Sequence, residues 1–161
     1  MSKQILLIAL FYLFAIPKIF AQVSEYRGQT STGAYYKIEV PQAWLPEDGL
    51  VIWNHGYQGY TQTSPDSNPS LGPLADVALE QGYAIAASSF SQTGWAVFNS
   101  HTDNQQLFEK FVELVGMPDK VFIQGGSMGG IVSLRDIESG LIPNVEGALL
   151  FCGAVAGAQN W

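Results

Sequence analysis

The sequence is poor in cysteine, in basic residues and in histidine, and each shortage narrows what it can be. Its one cysteine, Cys152, has no partner within the chain, so no internal disulfide forms and the fold must rest on its core. Set in an apolar run, Cys152 reads as a buried packing residue. Seven Lys and Arg stand against fourteen Asp and Glu, a formal charge of −7. A surface of that sign repels phosphate backbones and gives no basic footprint for nucleic acid or anionic lipid. Neutral or cationic small molecules are the expected partners. Two histidines and one cysteine, far apart in sequence, make no metal site by spacing. No cofactor is expected either: no lysine follows the glycine-rich segment as a P-loop needs, and the glycine spacing is not G-x-G-x-x-G. Internal repeats and low-complexity tracts are absent from the sequence.

Past the N-terminal segment, no run approaches the roughly 20 apolar residues of a membrane helix. Residues 1–21 carry Lys3, a continuous apolar stretch from Ile5 to Ile16, and a small residue at Ala21 before the polar Gln22. This pattern predicts a secretory signal cleaved after Ala21, hence a secreted or periplasmic chain with no stable membrane span once the signal is removed. An uncleaved N-terminal anchor is the alternative. Losing Lys3 and Lys18 and no acid takes the formal charge from −7 to −9.

Beyond residue 33, strands and helices alternate. In Ala34 to Val40, Tyr36, Ile38 and Val40 share one face and Lys37 and Glu39 the other, a half-buried strand. Leu50 to Trp53 and Tyr83 to Ala87 are apolar on both faces, as central parallel strands are. Between them Pro73 opens a helix that runs through Leu74, Val77 and Ala78 to Gly82. Thr102, with Gln105 three residues on, has the pattern of a capping box for a second helix whose Leu107, Phe108, Phe111, Val112 and Val115 share a face. Val121 to Gln124 is a further strand, Ile131 to Ile137 a helix ended by Gly140, and Val145 to Val155 a last strand. Such alternation predicts a mostly parallel sheet with helices on both faces, and sites in such folds gather at the carboxyl ends of the strands. Two loops leave those ends: Asn54 to Gly72, rich in Gly, Pro, Ser and Thr, and Ser88 to His101, with Phe90, Trp95 and Phe98. Both are candidates for walling a substrate pocket.

The most informative segment is Gly125-Gly126-Ser127-Met128-Gly129, between the apolar strand and the helix after it. A serine in such a strand-to-helix turn is held in a strained backbone. The residues two before and two after it must be small for strand and helix to close, and Gly125 and Gly129 meet that requirement. The Met128 amide, at a helix N-terminus, would point at a developing oxyanion. A plain glycine-rich turn is the bland alternative. Asn54-His55-Gly56-Tyr57 directly follows a strand and would face this turn, supplying a second donor through the amide of Gly56 or Tyr57. His55 is expected to brace the turn by a hydrogen bond; exchanging protons is its lesser, accessory role.

These segments together resemble the α/β-hydrolase superfamily. Tyr35-Tyr36-Lys37-Ile38-Glu39-Val40-Pro41, Trp44, and Trp53-Asn54-His55-Gly56-Tyr57 are similar to secreted serine esterase-like and prolyl-oligopeptidase-like hydrolases, over about residues 34–156. The resemblance implies that Ser127 is the nucleophile and that the amides of Met128 and of Gly56 or Tyr57 form the oxyanion hole. It also implies an acid and then a histidine on loops after later strands. Here only Asp136, Glu138 and Glu146 follow Ser127, none in such a loop, and no histidine does; His101 precedes it. The simplest expectation is a signal at 1–21 and, over 22–161, the N-terminal part of an α/β-hydrolase domain, incomplete at its C-terminus and inactive on its own. The substrate expected of the whole is a small carboxylic ester. The alternatives are a prolyl-oligopeptidase-like peptidase and a non-catalytic binding module on a hydrolase scaffold.

Overall fold

A computed structural model of the chain describes residues 22–59, 62–153 and 155. The leader expected over residues 1–21, with its cleavage point, lies outside the described residues. The strands are β1 (Val23–Gln29), β2 (Tyr35–Pro41), β3 (Leu50–Asn54), β4 (Ala84–Ser88), β5 (Val121–Gly126) and β6 (Val145–Phe151). The helices are α1 (Ala75–Glu80), α2 (Ser100–Leu114) and α3 (Met128–Ser139). One sheet has the order β1-β2-β4-β3-β5-β6. The four strands β4, β3, β5 and β6 run parallel, and β2 and β1 are added antiparallel at one edge. The mostly parallel sheet read from the sequence is therefore correct.

The alternation of side chains along a strand decides which layer each residue joins. On one face Ile38, Leu50, Ile52, Ala86 and Ile123 pack against Leu107, Phe108 and Phe111 of α2. The intervening residues Val51, Trp53, Ile85 and Ala87 meet α1 through Ala78 on the other face. Covered on both sides, β3 and β4 are buried at every position, whereas β2 alternates. A third cluster of Phe90, Ala96, Val97, Met128 and Val132 fastens the start of α3 to the loop after β4. Among the described residues no helix is long and apolar enough to cross a membrane.

Four sequence expectations are corrected. First, α1 begins at Ala75, because Gly72, at φ 87, is pressed so close to the Trp53 ring that Pro73 and Leu74 are used in turning the chain. Second, α2 begins at Ser100 behind Asn99, which makes no side-chain cap bond, so Thr102 lies inside the first turn and there is no capping box. Gln105 instead donates to Glu109 at 3.0 Å, and the early start carries Ser100, Asp103 and Asn104 into the interior. Third, α3 is longer than Ile131 to Ile137, although Gly140 does end it, in the left-handed conformation at φ 64. Fourth, β6 stops at Phe151. Cys152 turns out of the strand at φ 50 and is exposed, not buried. β1 had no sequence signal: it is an edge strand with no buried residue, and a mainly polar edge strand lacks the apolar alternation that marks β2.

Candidate active site

At the carboxyl end of β5 the chain reverses in a single residue. Ser127 has φ 54 and ψ −120, a conformation that costs a non-glycine residue on the order of 1–3 kcal/mol. The backbone is pinned on both sides: Ser127 N–H donates to Phe151 O at 2.8 Å, and Gly130 N–H to Ser127 O at 2.9 Å. The side chain is exposed and makes no hydrogen bond among the described residues. Ser127 is thus a hydroxyl presented clear of the sheet by a braced, strained turn.

The flanking glycines are sterically required. A Cβ on Gly125 would overlap Gly129 O and Ser133 Oγ, and one on Gly129 would overlap Asn54 O and come to 2.7 Å from His55 O. Three backbones, β5, α3 and the end of β3, therefore meet without room for a methyl group.

The turn after β3 lies against the serine. The Cβ position of Gly56 is 3.2 Å from Gly126 O and 3.4 Å from Ser127 Cβ. Nδ1–H of His55 donates to Gly56 O at 2.7 Å, and its ring lies 4.3 Å from that of Phe90. That bond stays within the turn; Nε2 is buried and without a partner among the described residues. Met128 opens α3, so its amide has no acceptor within the helix. The structure brings Gly125, Gly129, Ser127, Met128, His55 and Gly56 together, with Tyr57 next in the chain. It does not bring His101 to Ser127. That ring is on α2, where Nδ1 accepts from Arg135 Nε at 3.3 Å and Nε2 faces Thr102 Oγ1 at 3.4 Å. No group of three or more His, Cys, Asp or Glu is placed to hold a metal ion among the described residues.

Beneath the turn lies a buried polar network that the sequence reading missed. Asn54 Nδ2 donates to Ser133 Oγ at 3.0 Å and to Asp136 Oδ2 at 2.9 Å. Asn104 Nδ2 donates to Asn54 Oδ1 at 2.7 Å and to the same Asp136 oxygen at 2.8 Å. Ser133 Oγ in turn donates to Gly129 O at 2.8 Å. Burial pushes the Asp136 carboxyl up to about 7, against the hydrogen bonds from Asn54 and Asn104 and the field of Arg135. Asp136 Oδ1 and Asn104 Oδ1 are left without partners among the described residues. A signal was available: Ser133 and Asp136 follow Gly129 by four and seven residues, on the stripe of α3 that must be buried.

The two loops read as pocket walls meet at an antiparallel bridge between Gln58 and Gly94. Phe90 is no wall residue, since it is fully buried at φ 55. An apolar depression of about 410 Å³ lies elsewhere, between α1 and the β5–β6 side of the sheet, lined by residues such as Val77, Phe122 and Leu149 and not by Ser127. We place the site at Ser127, because the lining of the depression holds no Ser, Cys, His, Asp, Glu or Lys.

The chain matches no protein-family model, and no curated protein matches it. Solved structures do match. An acetyl xylan esterase from Aspergillus awamori aligns at TM-score 0.58 and 18% identity, over 87% of this chain and 56% of that one. An esterase of Pyrococcus furiosus aligns at TM-score 0.57 and 16% identity, over 83% and 51%. A prolyl endopeptidase aligns at TM-score 0.53 and 14% identity, over 74% and 19%. The chain has the α/β-hydrolase fold. It spans about half the length of these two esterases and a fifth of the endopeptidase.

Proposed function

We propose that this chain is the nucleophile-bearing part of an exported serine hydrolase that acts on carboxylic esters. The observation that carries the reading is Ser127 itself, exposed at φ 54 between β5 and α3 with the Gly56 turn against it. A turn of that geometry is what a nucleophile elbow requires. In this reading Ser127 Oγ bonds to the ester carbonyl carbon, and the amides of Met128 and of Gly56 or Tyr57 receive the negative charge on oxygen. Each donor would lower the barrier by roughly 3 kcal/mol. The carbon–oxygen bond to the alcohol then breaks, the alcohol leaves with the serine proton, and water releases the acyl group from Ser127. This sequence has only two histidines: His101 is held by Arg135 away from Ser127, and His55 is tied to Gly56 O through Nδ1, so in this reading the base that moves the proton is a histidine of the rest of the hydrolase, not of this sequence. Two of the solved structures it resembles are of esterases, which supports esters before peptides.

The test uses the full-length protein and an active-site-directed fluorophosphonate. Labelling that Ser127→Ala abolishes, with turnover of a p-nitrophenyl ester lowered by about 10³ or more, is the expected result. A full-length protein that is never labelled would make it a binding module on a hydrolase scaffold.

A further inference from the structure

All of the exposed aromatic side chains among the described residues lie beside the candidate site. Tyr57 is 46% exposed, Trp95 54% and Phe98 66%; the other described Phe, Tyr and Trp residues are buried or half-buried. Contacts of their chain neighbours fix where they lie. Gly56, next to Tyr57, touches the Ser127 turn, and Gln58 is bridged to Gly94. Trp95 is held between that bridge and Ala96, which is buried with Met128. Phe98 lies farther along α3, with Arg135 over its ring at 6.0 Å. From Met128 to Arg135 the helix rises about 10 Å. The segments that carry the three rings are therefore placed from the Ser127 turn along α3 to Arg135, a span longer than a single acyl group.

Exposed aromatic surface gathered at one place marks a contact site, and a ligand site pairs such surface with a few polar groups that set orientation. Apart from Arg135, whose guanidinium lies over Phe98, the polar groups here are uncharged. Residues 88–101 contain no Asp, Glu, Lys or Arg, and residues 54–72 contain one, Asp66. Gln92 and Asn99, on either side of Trp95 and Phe98, are exposed amides that both donate and accept. A pyranose has the matching chemistry: an apolar C–H face for an aromatic ring and a rim of neutral hydroxyls for amides. A nucleobase strand is disfavoured by the net charge of −7.

We propose that Tyr57, Trp95 and Phe98 form a subsite for neutral oligosaccharide, so that the ester cleaved at Ser127 is one carried on a carbohydrate chain. This rests on the hydrolase reading, and the test separates the two. Full-length Ser127→Ala protein is titrated with xylohexaose, cellohexaose and mannohexaose, followed by tryptophan fluorescence and calorimetry. At least one should bind saturably, and Trp95→Ala with Phe98→Ala should weaken it ten-fold or more with an unchanged thermal midpoint, because both side chains are exposed. Binding of none, binding indifferent to the double substitution, or capture only of ethyl ferulate, a single aromatic acyl ester, would each overturn the proposal. Wild-type protein labelled by fluorophosphonate but blind to all three sugars loses this subsite and keeps the hydrolase. Sugar binding without labelling does the reverse.

Discussion

Asp136 is the residue whose chemistry reaches furthest beyond its own position. It lies on α3, 1% exposed, inside a cage of amides and a hydroxyl, and within the field of Arg135. Its carboxyl is raised from an ordinary 3.8 to about 7 by burial. Between those values the folded chain holds a proton that the unfolded chain has released, so stability falls as pH rises. The contribution is complete below about pH 4, is lost as pH rises through about 7, and levels off beyond that. The amount is on the order of 4 kcal/mol for a shift of about three pH units. Asp136→Asn keeps the shape and cannot ionise. We expect it to flatten this part of the stability profile and to be more stable than the parent at pH 8, with urea unfolding at pH 5 and pH 8 as the measurement. Equal pH dependence in both proteins would show that Asp136 does not titrate in this range.

At the scale of elements, the closest approach is where β5, α3 and the end of β3 cross. Gly129→Ala places a methyl group on the backbone oxygen of Asn54, and backbone cannot move aside as a side-chain end can. We expect a loss of about 3 kcal/mol or more in chemical denaturation, at the upper end of what overpacking costs. Gly140→Ala, in open space at φ 64, should cost only about 1 kcal/mol. These glycines were legible in the sequence because their spacing around Ser127 is a steric rule. The strands from β2 to β5 were legible because burial on one or both faces writes itself as alternation or as an unbroken apolar run. Asn104 was not, since nothing local ties a polar residue on α2 to Asn54 and Asp136. Cys152 was misread for a related reason: the apolar run continues past Phe151, but the backbone turns there, and hydrophobicity alone does not record where a strand stops.

For the whole molecule, β6 is the edge of the sheet among the described residues, and it is an apolar one, with Leu149 46% exposed. Unpaired strand edges invite pairing with another chain. Residues 22–161 prepared alone should associate in a concentration-dependent way, and Leu149→Lys should reduce that association; light scattering across a dilution series measures it. A monodisperse parent chain would show that the edge is harmless.

The opposite edge holds a quieter arrangement. Arg27 of β1, paired with Glu25, reaches across to the side chain of Asn68. Asn68 belongs to the connection between β3 and α1, which also carries Gly56 and Tyr57. That single contact divides a long, glycine- and proline-rich span into two shorter ones, and shorter spans have less freedom to lose when they are ordered. Thermodynamic reciprocity then applies: whatever settles this connection over Ser127 also tightens the attachment of β1, and whatever loosens β1 raises the entropic cost of assembling the site. The outermost strand of the sheet is in this sense a remote hand on the Ser127 turn.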